Sequence, residues 1–315
     1  MKPILSICIP TYNRSVYLKK CIDSIVYQMS FIEGKVEVVI SDNASNDDTY
    51  EIIQPYLYSY RNIHYYRNDE NIRDKNFPVV ISKAHGLVRK LCNDTLIFEE
   101  NSLYKMCLII EKYGHSQPVL VWANGSGKNE ESIYECSFRR YVKSMSYWIT
   151  SIACFSIWED DCIEIVKDFR GCDQSLWQVN KQLEMASSKN VVIINEHFTD
   201  VQQVEKKNIS YGLYKVFYEN YFSLLEPYIE RGDLKQEDKE YLEKDLLFSF
   251  FKNWVIQWKM NSTDLVYSQE ENLKEKIWET YSNKPYWNSF LRQYYFGLFY
   301  QKLMQWKMKI VKKVK

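Results

Sequence analysis

Leu5-Ser6-Ile7-Cys8-Ile9 runs directly into Pro10-Thr11-Tyr12-Asn13-Arg14, and Val36-Glu37-Val38-Val39-Ile40 runs into Ser41-Asp42-Asn43-Ala44-Ser45-Asn46-Asp47-Asp48-Thr49. Short apolar runs rich in β-branched residues are the signature of strands covered on both faces. Between them Tyr17, Leu18, Cys21, Ile22 and Ile25 recur at helical spacing. A strand, helix and strand this close together form a βαβ unit, and such units build parallel sheets. Ligands of open parallel sheets bind in the crevice at the carboxyl ends of the strands. The two polar loops are therefore expected to face one another across a binding site.

Reading outward, the pattern predicts a helix from Thr49 to Leu57, a strand over Ile63 to Arg67, a helix around Asn76 to His85 and a strand over Leu87 to Leu91. Leu103 to Lys112 reads as a helix, with Glu99 and Glu100 placed before its start, where negative charge suits the helix dipole. Val119 to Trp122 reads as a strand and Asn124 to Gly127 as a turn. Ser137 to Asp161 is aromatic without a clear period. A helix is expected over Asp173 to Leu183, and Val191 to Ile194 is the last strand expected in the sheet.

Beyond Ser210 no strand-like run stands out. Apolar residues recur every three or four positions: Leu213, Phe217, Tyr221; Leu242, Leu246, Phe250; Leu291, Tyr295, Phe299, Leu303, Trp306, Ile310. The charged stretch Glu230 to Lys244 reads as a solvated helix face. The expected division is an α/β domain over 1–208 and a helical region over 209–315, available for acceptor, oligomer or membrane-surface contacts. A chain of 315 residues exceeds the usual single core, in keeping with two domains.

Lys and Arg number 41 and Asp and Glu number 41, a balance that argues against a general nucleic-acid binder. No stretch near Met1 resembles a secretory signal, and no apolar run is long enough to span a bilayer. A soluble, cytoplasmic protein is expected. The eight cysteines are scattered without a Cys-x-x-Cys pair and read as reduced thiols, several packed as small hydrophobes.

The Pro10–Arg14 and Asp42–Thr49 loops, followed by Tyr66-Arg67-Asn68, Asn71, Asn76, the Ala84-x-Gly86 pair and Leu91-Cys92-Asn93-Asp94-Thr95, resemble the family 2 glycosyltransferases over roughly residues 4 to 200. The resemblance implies a GT-A type fold: a Rossmann-like, mixed but mainly parallel sheet flanked by helices. It also implies inverting transfer from a nucleotide sugar, commonly a UDP-sugar, in making a bacterial surface polysaccharide, glycolipid or glycoprotein glycan. Pro10, Thr11, Tyr12, Arg14, Asp42 and Asn43 would surround the nucleotide, with Arg67, Asn71, Asn76 and Asn93 in or near motifs lining it. Tyr12 offers a face for the base and Asp42 a hydrogen-bonding edge.

Departure of a diphosphate builds negative charge that a divalent cation can stabilise, and such ions are held by few protein carboxylates plus the phosphates. The acidic series of the resembling family is reduced here to Asp94, which is assigned as ligand of Mn or Mg. Lys90 is a further candidate for positive charge near the diphosphate. An inverting transfer also needs a base for the acceptor hydroxyl. Gly171-Cys172-Asp173-Gln174-Ser175-Leu176-Trp177 fits the family's position for it, so Asp173 is the expected base and N-cap, with Asp160 and Asp161 as rivals. Trp148, Thr150 and His197 are acceptor candidates.

A dinucleotide-dependent oxidoreductase or a nucleotidyltransferase would need glycines in the first loop, and Pro10 to Arg14 has none. A non-catalytic sugar-nucleotide binder built on the same fold stays open. Lys302, Lys307, Lys309, Lys312, Lys313 and Lys315 accompany Trp306 and Ile310 at the carboxyl end, with no acidic residue after Glu279, which suggests reversible contact with an anionic membrane. Packing of that helix on its own domain or a dimer partner is the competing reading.

Overall fold

The computed structural model describes residues 2–128, 131–204, 207–209, 211–259, 265–267 and 272–314, with backbone alone for 207–209, 258, 265–267 and 308–314. The chain divides into two compact units, Met1–Gln203 and Val204–Lys315.

The first unit begins β1 (Leu5–Thr11), α1 (Ser15–Val26), α2 (Met29–Ile32), β2 (Val36–Asp42), α3 (Thr49–Ser59), β3 (Ile63–Arg67), α4 (Asn76–Ser82) and β4 (Val88–Leu91). It continues β5 (Leu96–Phe98), α5 (Ser102–Tyr113), β6 (Val119–Trp122), β7 (Ile133–Cys136), α6 (Phe138–Met145), β8 (Ser156–Trp158), α7 (Trp177–Ala186), β9 (Val191–Ile194) and β10 (Thr199–Val201). All of β2 is buried, as two-faced coverage requires. On α1, Leu18, Cys21, Ile22, Ile25 and Val26 form the buried face. Burying a side chain such as Leu or Ile is worth about 1.5–3 kcal/mol, whereas helix propensities differ by under ~1 kcal/mol per residue. Packing rather than propensity therefore holds α1 in place.

The main sheet has the order β3-β2-β1-β4-β8, parallel except for β8. The chain steps outward from β1 to β2 to β3, then crosses to place β4 on the other side of β1. The gap between β1 and β4 is thus the switch point, where the helices of an open α/β sheet diverge and leave a crevice.

Val119–Trp122 and Val191–Ile194 are strands as expected, but they form a separate sheet, β6-β9-β7. Side chains stitch β6 beside β8 instead of a backbone ladder. Ser156 Oγ donates to Leu120 O at 3.0 Å and accepts from Trp122 Nε1 at 2.9 Å, while Trp158 Nε1 donates to Pro118 O at 2.6 Å. A small antiparallel pair, β5–β10, completes the unit. The helix expected from Asp173 starts only at Trp177: Gly171 and Ser175 have φ of +86° and +58°, left-handed conformations that a right-handed helix cannot contain.

The second unit contains β11 (Lys207–Ile209), α8 (Tyr221–Glu230), α9 (Gln236–Asp245), α10 (Lys252–Lys259), β12 (Leu265–Tyr267), α11 (Leu273–Tyr281) and α12 (Trp287–Val314), with π-helical turns at Lys215–Asn220 and Leu246–Phe251. β11 and β12 pair in parallel, so the region is not wholly helical as the periodicity suggested. A three-residue strand carries too little pattern to be read. Nor is the charged stretch simply solvated. Asp238 and Glu243 are buried; Asp238 accepts from the Lys235 backbone at 2.9 Å, and Glu243 pairs with Lys284 at 2.6 Å and accepts from Tyr218 Oη at 3.1 Å. Among the described residues no helix is long and apolar enough to cross a membrane.

The turn into β4 is the tightest point of the first unit. Gly86 N donates to Ser6 Oγ at 2.8 Å, and a Cβ there would lie 2.5 Å from that oxygen and 2.8 Å from Ser6 N on β1. Gly86→Ala is predicted to destabilise the fold by about 1–3 kcal/mol, the usual cost of overpacking. A lowered urea midpoint is the expected result; an unchanged one would mean that the turn shifts freely away from β1.

Candidate functional site

Because β1 to β4 run in parallel, the loops after Thr11, Asp42, Arg67 and Leu91 all leave from one edge. At that edge Asp94, which is 2% exposed, is held from across the switch point. Thr11 Oγ1 donates to its Oδ2 at 2.9 Å, and the Arg14 guanidinium donates to its Oδ1 at 3.0 Å. One residue of the β1 loop and one residue entering α1 thus fix the carboxylate that follows β4. Asn93 lies next to it, partly exposed, and Tyr12 presents an exposed ring from the same loop.

The first two loops are locked together. Asn13 N donates to Ser45 Oγ at 2.9 Å, and Asn46 N returns a bond to Asn13 Oδ1 at 2.8 Å. Asp47 accepts from Ser15 N at 3.0 Å, in the first turn of α1, and from Thr49 at the start of α3. A carboxylate at two helix starts satisfies orphan N–H groups and complements both dipoles. Burial alone would raise its pKa, but the bonds from Thr49 and Ser15 outweigh it and hold the Asp47 carboxyl below its usual range. Asn13 and Ala44 both take positive φ, so each loop turns back sharply toward the other.

Asp42 is fully buried. Its Oδ1 accepts from Ser45 N at 2.8 Å, and its Oδ2 accepts from Tyr65 Oη at 2.5 Å and Arg67 Nη1 at 3.0 Å. Arg67 also donates to Ser45 O at 2.7 Å, so β3 braces the second loop. Burial, and then the facing Asp42 carboxylate, push the Tyr65 phenol upward and keep it a donor. Beneath lies an amide network. Asn43 Nδ2 donates to Asn71 Oδ1 at 2.8 Å and its Oδ1 accepts from Asn68 Nδ2 and Ile72 N. Asn76, 1% exposed, exchanges bonds with Ser41 and accepts from Asn68. The structure brings Thr11, Arg14, Asp42, Asn43, Arg67, Asn71 and Asn76 into one connected assembly. Asn76 serves as an interior brace of it, with its amide committed to the loops.

Asp173 is exposed in the turn ahead of α7, anchored by Trp177 Nε1 donating to Asp168 O at 2.6 Å. This turn lies beside the loop after β3: Lys75 Nζ sits 5.5 Å from the centre of the Phe169 ring. Asp74 and Asp173 both lie near the Cys172 thiol, which burial and then these carboxylates push up to about 12. Asp74 is itself raised to about 6 by burial, partly offset by Arg73. Asp74 and Asp173 thus share the Cys172 thiol as a neighbour, a pairing that no residue pattern announced because folding creates it.

Several expectations are redirected. Lys90 is buried in β4, donating to the carbonyls of Ala153 and Leu91, and burial lowers its pKa; it is a core residue rather than a diphosphate contact. Asp160 and Asp161 follow the antiparallel β8 and so sit at the opposite, amino edge of the sheet. There Asp160 accepts from Gln117 at 2.9 Å and Asp161 pairs with Lys189 at 2.6 Å, which removes both as rivals for the base. His197 lies at the far end of the β5–β10 pair from Asp94, beside Asp200 and Glu99. Trp148 is 40% exposed and stacked on Tyr147, whereas the Thr150 hydroxyl is spent on Tyr147 O. Sequence reasoning missed Tyr65, Ser45 and Asp47; Asp47 was legible as the next acidic residue of the loop, while Tyr65 needed the strand register.

Residues 6–156 match the profile of Glycosyl transferase family 2. A segment of 85 residues is 44% identical to an abequosyltransferase of Salmonella typhimurium, covering 26% of this chain and 25% of that protein, so the match spans only a quarter of that relative's length. Over 274 residues the chain is 27% identical to a GalNAc(5)-diNAcBac-PP-undecaprenol beta-1,3-glucosyltransferase of Campylobacter jejuni, covering 79% of this chain and 81% of that one. In fold it resembles the crystal structure of S. aureus TarS in complex with UDP, with a TM-score of 0.58 at 19% identity, covering 82% of this chain and 78% of that one. The switch-point site in the first unit and these matches support a family 2 glycosyltransferase, the family's profile spanning residues 6–156, just under half of the chain.

Proposed function

We propose that this protein is an inverting glycosyltransferase that moves a hexosyl or N-acetylhexosaminyl group from a UDP-sugar to a glycan, glycolipid or glycoprotein acceptor in surface-glycan synthesis. The observation that carries the reading is the pinning of Asp94 by Thr11 and Arg14 over the switch point, between two interlocked polar loops. The UDP complex of TarS and the lipid-linked substrate named for the Campylobacter relative support the donor and acceptor classes.

In this reading Tyr12 stacks on the base, and Asp42, Asn43 and Arg67, with Asn71 and Asn93 beside them, shape the nucleotide cleft. Asn76 keeps that cleft rigid from below. Arg14 brings a guanidinium to the place where the diphosphate gathers charge, and Asp94 sets its orientation. The site fits a divalent ion, Mn or Mg, because Asp94 stands at the crevice with its carboxylate already oriented. Hard cations that keep waters and substrate phosphates take one or two protein carboxylates. When bound, the ion would stabilise charge on the leaving diphosphate. Asp173 removes the acceptor proton, and Trp148 offers an aromatic face to a sugar ring, with Thr150 and His197 as more distant acceptor candidates.

Two substitutions test this. Asp94→Asn is expected to cut metal-dependent transfer by on the order of 10²-fold or more, the scale of losing one electrostatic stabiliser, and to lower the thermal midpoint, because the amide leaves the Arg14 guanidinium without its carboxylate. Full activity of the wild type in excess chelator would remove the ion from the reaction and leave Arg14 as the stabiliser. No donor hydrolysis or transfer over a panel of nucleotide sugars, with Mn or Mg present, would favour the non-catalytic binder. Asp173→Asn is expected to lower transfer by about 10²–10⁴-fold, the usual contribution of a general base, while calorimetric UDP binding is kept. If transfer survives, Asp74 is the base, and Asp74→Asn becomes the deciding variant.

A lipid-linked acceptor also gives meaning to α12, and we propose that the enzyme works at the inner face of the cytoplasmic membrane. Tyr295, Phe296, Phe299, Tyr300 and Trp306 are exposed along it, with Arg292, Lys302 and Lys307 exposed among them. Lys309, Ile310, Lys312, Lys313 and Lys315 lie outside the residues whose side chains are described. Each basic residue near an anionic leaflet is worth about 1 kcal/mol, and interfacial helices pair such charge with aromatic residues. Vesicle co-sedimentation is expected to show binding to anionic but not neutral vesicles, lost on removal of residues 301–315. Equal partitioning of the two forms would rule the membrane role out and point to a dimer contact.

A further inference from the structure

The amino edge of the main sheet, opposite the glycosyl-transfer site, carries a cluster that the proposed chemistry does not use. Glu37 lies near the start of β2 and is 2% exposed, a carboxylate inside that buried strand at the end away from Asp42. Its Oε1 is saturated: it accepts from Ser6 Oγ at 2.6 Å, His85 N at 2.6 Å and Gly86 N at 3.1 Å. That leaves Oε2 pointing at two imidazoles. His64 Nε2, near the start of β3, and His85 Nδ1, in the turn before β4, each lie 3.3 Å from it.

We infer that Glu37, His64 and His85 form a zinc site. Three arguments carry it. The ligand set is two imidazole nitrogens and one carboxylate oxygen, a set that zinc takes with bonds of about 2.0–2.2 Å. Tetrahedral bonds of that length put neighbouring ligand atoms ~3.3–3.5 Å apart, and both Glu37–histidine separations match this edge; all three ligand atoms lie within 4.8 Å of one another. The carboxylate is also held by three donors on its other oxygen, the kind of outer-shell support that orients metal ligands. The His85 side chain is 62% exposed and that of His64 33% exposed, so an ion can enter from solvent and a water can complete its coordination. Glu99, His197 and Asp200 also converge, but all three are exposed at the end of a short strand pair.

An ion at the first cluster would clip β2, β3 and the turn before β4 together at the end of the sheet remote from Asp94. Its role would be structural, and it is independent of the glycosyltransferase reading. The test uses the full chain stripped with chelator and passed into metal-free buffer, with zinc as probe in competition with a chromophoric chelator. One zinc per chain is expected, with a rise in thermal midpoint. Cobalt in its place is expected to give the intense visible absorption of tetrahedral coordination.

Glu37→Gln risks the fold, because the carboxylate anchors Gly86, so the variants are His64→Ala and His85→Ala, both at the surface. Each is expected to weaken zinc binding by at least roughly 10–100-fold, the range seen on disturbing ligand support alone. The double variant is expected to lose both the binding and the zinc-dependent rise in midpoint. Asp94→Asn is expected to bind zinc here as the wild type does, which separates this site from the one at the carboxyl edge. Zinc bound equally by the double variant, or a cobalt spectrum without tetrahedral bands, would overturn the assignment.

Discussion

Two bonds from the β1 side of the switch point to one buried carboxylate on the β4 side set the geometry of everything around them. Thr11 and Arg14 reach Asp94 only because β1 and β4 are hydrogen-bonded neighbours, with Leu5 to Cys8 opposite Val88 to Leu91. If that register slipped by one residue, the inward and outward faces of β4 would exchange. Asp94 would then lose both partners. The apolar burial of β1 and β2 is therefore what aims the polar site, since it leaves the strands a single register.

A second layer of constraint comes from polar groups that satisfy one another. Asp42, Asp47, Asn43, Asn68 and Asn76 bond to backbone, to one another and to the Ser41, Thr49, Tyr65, Arg67 and Asn71 side chains, so the loops at the carboxyl edge behave as one body. Buried polar groups left unpaired cost roughly 1–3 kcal/mol each, so substitution anywhere in this assembly is felt at its neighbours. That is the physical basis for a carboxyl-edge crevice whose walls are held by the chain's own bonds. It also means that a residue such as Asn76 acts through the loops it braces.

Charge in the interior follows the same logic in both units. Glu37 in the first and Glu243 in the second are buried carboxylates surrounded by donors, the one by Ser6, His85 and Gly86 and the other by Tyr218 and Lys284. Burial of a charge is tolerated only where such partners exist. The Tyr281 phenol, buried, and those of Tyr218 and Tyr286, half-buried, lie near Glu243, are pushed upward and remain protonated. In the first unit the second oxygen of the carboxylate also faces two imidazoles with access to solvent, those of His64 and His85.

The sequence by itself determined the βαβ opening, the strands at Leu5, Val36, Ile63, Val88, Val119 and Val191, and the edge on which Thr11, Arg14, Asp42 and Asp94 must meet. These follow from apolar periodicity and from parallel connections, both local properties. Only the tertiary structure decided that Lys90 is interior, that Asp160 and Asp161 lie at the wrong edge, and that β6 and β9 belong to their own sheet. Each depends on β8 running antiparallel, and a three-residue strand has no pattern that states its direction. The same holds for Asp74, whose raised pKa comes from burial, and for Glu37, His64 and His85. Residues that far apart in the chain acquire a shared chemistry only when strand register brings their side chains to one end of the sheet.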